Sequence, residues 1–164
     1  MGSNTLQNYE QLSYGAPGLS MHRAFATQVI GDAVATRTLT AKESGSLCLF
    51  DRAAGVVYTL PTPVIGMTFE FQTTVTITSG AAKVITSAAT EFLLGTVILG
   101  INTSATTLAC LADGTSHRAI SSNGSTTGGV QGDRYRLTAI STTQWVIDGV
   151  VSGSGSLATP FATS

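Results

Sequence analysis

The sequence predicts an all-β protein: a single antiparallel β-sandwich or barrel-like domain, jelly-roll-like in outline, with an extended N-terminal arm and a C-terminal tail. Three observations lead there. In Gly66–Gly80, Phe69, Phe71, Thr73, Val75 and Ile77 share one side of a two-residue period and Thr68, Glu70, Gln72, Thr74, Thr76 and Thr78 the other, the alternation of a half-buried strand. Short β-branched and aromatic runs recur about every ten residues from 36 to 150, divided by Gly, Asn, Asp and Pro turns. That span has no helical periodicity, and its gaps are too short for the crossover helices of a βαβ arrangement.

Composition fits one domain with a core plus extra segments at its ends, in 164 residues. Charged residues make up 10% of the chain, against a typical value of about 25%, and 26 Thr and 17 Ser stand in their place. With a net charge of −1, such a surface disperses poorly as a free monomer, so much of it is expected to meet other protein. The six arginines and two lysines, Lys42 and Lys83, are scattered. Phosphate binding needs a clustered positive field, so no nucleic-acid partner is expected. No run approaches the ~20 apolar residues of a membrane span; Phe92 to Ile101 is interrupted by Gly95, Thr96 and Gly100. The N-terminus lacks a basic region followed by an apolar one, so assembly in a cytoplasm is expected.

The elements follow in order. Residues 1–35 are read as the arm, with Ala24 to Ala35 open between a short helix and a strand. Its Leu6, Tyr9, Leu12, Tyr14 and Leu19 match neither period, and alone it buries too little surface to offset its conformational entropy. From Thr36 the domain begins: Thr36 to Ala41 alternates, Lys42 to Gly45 reads as a turn, Ser46 to Phe50 as a strand, and Gly55 to Leu60 as a strand stopped by Pro61 and Pro63. The long alternating run comes next and is read as the central strand. Ala81 to Ser87, Glu91 to Leu94, Thr96 to Ile101 and Thr106 to Ala112 are read as short strands, with a turn at Asp113-Gly114-Thr115. Ser121 to Gly132 is low in complexity and reads as an exposed loop. Asp133 to Ile140 and Thr143 to Gly149 read as a hairpin turning near Ser141-Thr142. Residues 151–164 are read as a flexible tail. The expected core holds Phe69, Phe71, Val75, Ile77, Trp145 and Ile147, with the single tryptophan plugging one end.

Catalytic chemistry is not expected. Asp113, Ser116 and His117 crowd one loop, but residues this close in sequence rarely converge as a triad, and no serine sits in a Gly-x-Ser-x-Gly elbow. Glu70 lies mid-strand on the polar face without a second carboxylate that can be named for glycoside hydrolysis. The Gly124–Gly132 run carries no lysine and leads into a strand, so it does not read as a phosphate loop. Asp113, Asp133 and Asp148 are isolated, without calcium-loop spacing. Cys48 and Cys110 stand at no zinc spacing with His22 and His117; they read as buried reduced thiols, or as a bridge if their strands are neighbours. No cofactor or metal is expected. Arg134 and Arg136 share a strand face opposite Tyr135 and Leu137, placed either to be solvated or to pair with carboxylates of a neighbouring subunit.

Leu39-Thr-Ala-Lys-Glu-Ser-Gly45, Val57-Tyr-Thr-Leu-Pro61 and Gly66-Met-Thr-Phe-Glu-Phe71 resemble the N-terminal half of small β-rich structural proteins of tailed bacteriophages. Gly132-Asp-Arg-Tyr-Arg-Leu137, Gln144-Trp-Val-Ile-Asp-Gly149 and Thr159-Pro-Phe161 resemble the other half, so the resemblance runs from residue 37 to 161. It implies a virion component of the capsid decoration (cement) type, a homo-oligomer such as a trimer, bound on the capsid surface to the major capsid protein and assembled in the host cytoplasm. Absence of heptads, collagen-like triplets or tandem repeats argues against a fibre shaft. In this reading Tyr9, Leu12, Tyr14 and Leu19 anchor the arm to the lattice, because aromatic residues dominate such interfaces. The alternative is a tail or head-fibre module binding a receptor or carbohydrate through Asn123 to Gln131, a loop without the exposed aromatics of most sugar sites.

Overall fold

The computed structural model describes residues 27–101 and 103–164. The anchors Tyr9, Leu12, Tyr14 and Leu19 lie outside the described residues. The chain forms β1 (Val29–Ile30), β2 (Thr36–Thr38), β3 (Leu47–Phe50), β4 (Val57–Thr59), β5 (Thr68–Thr73), β6 (Ala82–Ile85), β7 (Phe92–Ile101), β8 (Thr107–Asp113), β9 (Ala119–Ser122), β10 (Arg134–Ala139), β11 (Gln144–Gly153) and β12 (Phe161–Ala162). A 3₁₀ turn at Ala41–Glu43 occupies the turn read at Lys42 to Gly45. The strands build two packed sheets: a seven-stranded one in the order β1-β3-β5-β10-β11-β7-β8 and a five-stranded one in the order β12-β9-β6-β4-β2. The protein is all-β, as its alternating pattern predicts.

The expectation of antiparallel pairing needs correction. Half of the strand pairings are parallel: β1 with β3, β3 with β5, β2 with β4, β4 with β6, and β7 with β11. The first six strands alternate between the two sheets, so a strand in the opposite layer does the work that a crossover helix does in a βαβ unit. Short gaps therefore exclude the helix but not the parallel neighbour.

The inward faces meet in an aromatic core. Tyr58 of the small sheet lies 5.5 Å, centroid to centroid, from both Phe50 and Phe71 of the large one, and Phe71 stacks on Tyr135 at 5.5 Å. The Tyr58 hydroxyl donates to the Leu49 carbonyl at 2.8 Å, which satisfies its polar end. Trp145 is fully buried and packs on Phe69 at 6.0 Å. Each such side chain contributes roughly 1.5–3 kcal/mol by leaving water.

Five of the expected core residues, Phe69, Phe71, Ile77, Trp145 and Ile147, are buried, but Val75 is 39% exposed. The reason is local. β5 ends at Thr73, and the N–H groups of Thr74 and Val75 both donate to the Phe50 carbonyl. The chain bends there, the two-residue alternation is reset, and only Ile77 returns to the core, with its N–H on the Gly129 carbonyl at 2.9 Å.

Both ends take part in the fold, the first as the strand left open for Ala24 to Ala35 and the second against the expectation of a flexible tail. Val29–Ile30 of the supposed arm pairs with β3, and Ile30 is buried. The supposed tail completes the fold: β11 runs on to Gly153, and β12 pairs with β9 so that Phe161 is 6% exposed. The two short strands read on either side of Gly95 are one ten-residue strand, β7. Gly95 adopts φ +128, and a Cβ there would overlap the Ile147 carbonyl oxygen of the neighbouring strand, so glycine is what lets β7 pass through unbroken.

Candidate interaction face

One face of the large sheet packs on the small sheet, and the other is open among the described residues. Strand register sets what stands on it. One row crosses all seven strands in the order Val29, Leu47, Glu70, Arg136, Asp148, Thr96, Leu111. The next row reads Leu49, Gln72, Arg134, Val150, Ile98, Ala109. The first row thus carries acid, base and acid on adjacent strands, with aliphatic residues toward both ends.

Arg136 is the direct cross-strand partner of both Glu70 and Asp148, a relation that brings Cβ atoms to about 4.5–5.5 Å. All three residues are exposed. The ion pairs within 4.0 Å among the described residues are Arg37–Asp32 and Arg37–Glu43, so the row's charges are not spent on one another. A groove of about 620 Å³ runs between Glu70, Gln72, Arg134, Arg136, Asp148 and Val150. Beside it Val150 is 61% and Leu111 66% exposed, with Ile98 between them in the sheet. The charges select a partner by complementarity, and the aliphatic residues supply the area that leaves water when it binds. Arg134, Arg136 and Glu70 are visible in the sequence as polar-face residues, but Asp148 is isolated there because its position beside Arg136 depends on the register of two strands.

The other candidate groups are occupied locally. Asp113, Ser116 and His117 do converge, but not as a triad. The Ser116 hydroxyl donates to Asp113 Oδ2, while Asp113 Oδ1 accepts the N–H groups of Thr115, Ser116 and His117. His117 Nδ1 accepts the Asp113 N–H at 3.2 Å and lies equally far from Asp113 Oδ1. The serine has no base, and the carboxylate caps a turn. The Ser116 hydroxyl, followed by the Thr115 and Ser116 amides, holds the Asp113 carboxyl well below the usual range.

The glycine-rich segment after β9 is tied down and not free. Asn123 Oδ1 accepts the N–H groups of Ser125 and Thr127, and Gln131 donates its N–H to Thr76 Oγ1. Buried Asp133 holds the end of the loop, accepting Gly129 N–H at 2.7 Å and Val130 N–H at 3.0 Å on Oδ2 and Ser152 N–H at 2.7 Å on Oδ1. Burial pushes its carboxyl up, against the three amides that favour the charged form. The sequence marks this aspartate only by its place between a glycine run and a strand.

Cys48 and Cys110 are both buried and unbridged. They occupy β3 and β8, five inter-strand steps apart in the large sheet, roughly 24 Å at ~4.8 Å per step, whereas a disulfide needs Cα atoms within about 7 Å. Burial pushes the Cys48 thiol up to about 12. Among the described residues no cluster of three or more His, Cys, Asp or Glu side chains is placed to hold a metal ion, and no helix is long and apolar enough to cross a membrane.

The fold and this face define a two-sheet β-protein whose exposed charges line a groove on an open sheet face. No protein family, curated protein or solved structure matches the chain. The likeness to phage structural proteins accordingly rests on the turn-and-strand phrases of the sequence alone.

Proposed function

We propose that this protein is a structural component of a phage virion, a capsid decoration (cement) protein that attaches to the assembled head lattice through the open face of its large sheet. The observation that carries the reading is the row Glu70–Arg136–Asp148 set beside exposed Val150 and Leu111, unpaired charge next to apolar surface on an open sheet face. The low-charge, hydroxyl-rich composition agrees with a chain whose surface is used for contact with other protein. Each copy contributes modest binding; an oligomer engaging several capsid subunits multiplies it, and the lattice is held against internal pressure by avidity. Tyr9, Leu12, Tyr14 and Leu19 add anchoring contacts from the N-terminal segment.

The test is occupancy of purified particles, measured by quantitative mass spectrometry against the major capsid protein. Wild-type protein is expected at a fixed large fraction of the capsid copy number, and Arg136→Glu, which places three acids side by side, is expected to leave the lattice while keeping its fold. Undiminished occupancy by Arg136→Glu would rule out the face, and a few copies per particle would rule out decoration.

A further inference from the structure

The two sheets have four edges, and three are closed off by brevity. β1 and β12 are two residues long and β2 is three. The fourth, β8, is seven residues long, and its sequence, Thr107-Leu-Ala-Cys-Leu-Ala-Asp113, has no proline, no lysine and a single charge at its end. Natural edges are kept from pairing by shortness, charge, proline or bulges, and β8 has only the terminal charge. Its backbone phase is fixed by its surroundings. The Ile101 N–H bonds the Thr106 carbonyl and the Gly114 N–H bonds the Leu93 carbonyl, so even-numbered residues turn their backbone toward β7. Thr107, Ala109 and Leu111 turn theirs away from the sheet, and no described residue outside β7 bonds them. Leu108, on the core side of the strand, is 36% exposed although its partner Leu99 is fully buried. An internal strand would not leave it so.

We propose that β8 pairs with β8 of a second copy of this chain, antiparallel about a twofold axis at Cys110, joining two seven-stranded sheets into one. The sequence is complementary to itself in that register. Ala109 faces Leu111 of the partner subunit and Leu108 faces Ala112 of the partner subunit, a large side chain against a small one on each side of the sheet. Ala109 and Leu111 are the residues whose N–H and C=O groups point outward, so each pair exchanges two ladder hydrogen bonds. Asp113 falls opposite Thr107 of the partner subunit, and no like charges meet. A head-to-tail contact from β8 to β1 of the next copy offers only two residues to pair, which disfavours a ring. The stoichiometry is therefore two, where the phage resemblance allows trimers or other oligomers. The pairing uses the backbone edge of β8 and shares only Leu111 with the lattice-binding face, so the oligomeric state is read on the isolated chain, apart from particle occupancy.

Light scattering and sedimentation of the full chain over a dilution series test it. Wild type is expected to be a dimer. Ala109→Lys with Leu111→Lys puts like charges opposite each other at two symmetric sites and is expected to give a monomer with unchanged circular dichroism; Ala109→Glu with Leu111→Lys makes those sites opposite in charge and is expected to restore the dimer. Amide exchange on the unmodified chain is an independent reading: the Ala109 and Leu111 amides are expected to be protected in the dimer and to exchange at least tenfold faster on dilution to monomer. A wild-type monomer or trimer, a dimer that survives the double lysine change, or unprotected Ala109 and Leu111 amides would each overturn the proposal.

Discussion

The carboxylate of Asp133 accepts the backbone N–H of Ser152 at 2.7 Å, and by that bond the glycine-rich loop before β10 is fastened to the far end of β11. Its other oxygen takes Gly129 and Val130, so three amides depend on one buried side chain. Asp133→Asn keeps the shape but turns an NH₂ group toward amide donors. It is expected to destabilise the protein by about 1–3 kcal/mol in urea unfolding, the cost of leaving buried donors unmet.

Gly95 and Gly100 lie on the same strand and give opposite outcomes. A Cβ at Gly95 overlaps the Ile147 carbonyl oxygen at φ +128, whereas nothing lies within 4 Å of one at Gly100. Gly95→Ala is expected to cost more than about 2 kcal/mol, and Gly100→Ala to be neutral or stabilising by up to about 1 kcal/mol through reduced freedom of the unfolded chain. Paired thermal melts distinguish the two.

Phe161 is 6% exposed and is carried by the two-residue strand that caps the small sheet, where His117 tilts against it at 5.7 Å. Phe161→Ala is expected to cost about 3–5 kcal/mol, as for other buried phenylalanines. A free tail would show no change in denaturant midpoint.

Acid should weaken the fold through Asp113 and Glu43. Glu43 feels burial first, which raises its carboxyl, but hydrogen bonds from Arg37 and Thr40 outweigh that and hold it low; Asp113 is held low by Ser116 and the turn amides. A carboxyl with a lowered folded pKa binds protons more readily once unfolded. Its stabilisation is present above the usual carboxylate range, about pH 4, and is lost as pH falls through the folded value. Stability measured from pH 6 to 2 is expected to drop over that range, and Glu43→Gln with Asp113→Asn is expected to flatten the slope.

Side-chain period was readable from sequence wherever a strand was straight. Phe69 and Phe71, and Trp145 and Ile147, alternate with polar neighbours and lie inside. The period failed at Val75, where convergence of two N–H groups on Phe50 is a tertiary event invisible in composition. It also missed β12, whose two residues are too few to show a pattern. The open face was legible only in parts: an alternating Arg134 and Arg136 and a mid-strand Glu70 were apparent, but their assembly with Asp148 depends on which strands are neighbours. That follows from partners far away in the chain, and no local preference encodes it.

The hairpin of β10 and β11 is the middle of the large sheet, inserted between β5 and β7. On the ribosome those two outer neighbours emerge first and must wait. Until residues 134–153 are made, β5 and β7 are separate raw edges, with Phe69, Phe71, Leu93 and Val97 lacking their cover. Folding of the large sheet is thus withheld until residues 134–153 have emerged, and a nascent chain cut short before Asp133 leaves β5 and β7 as adhesive edges, the kind of species that chaperones must shield.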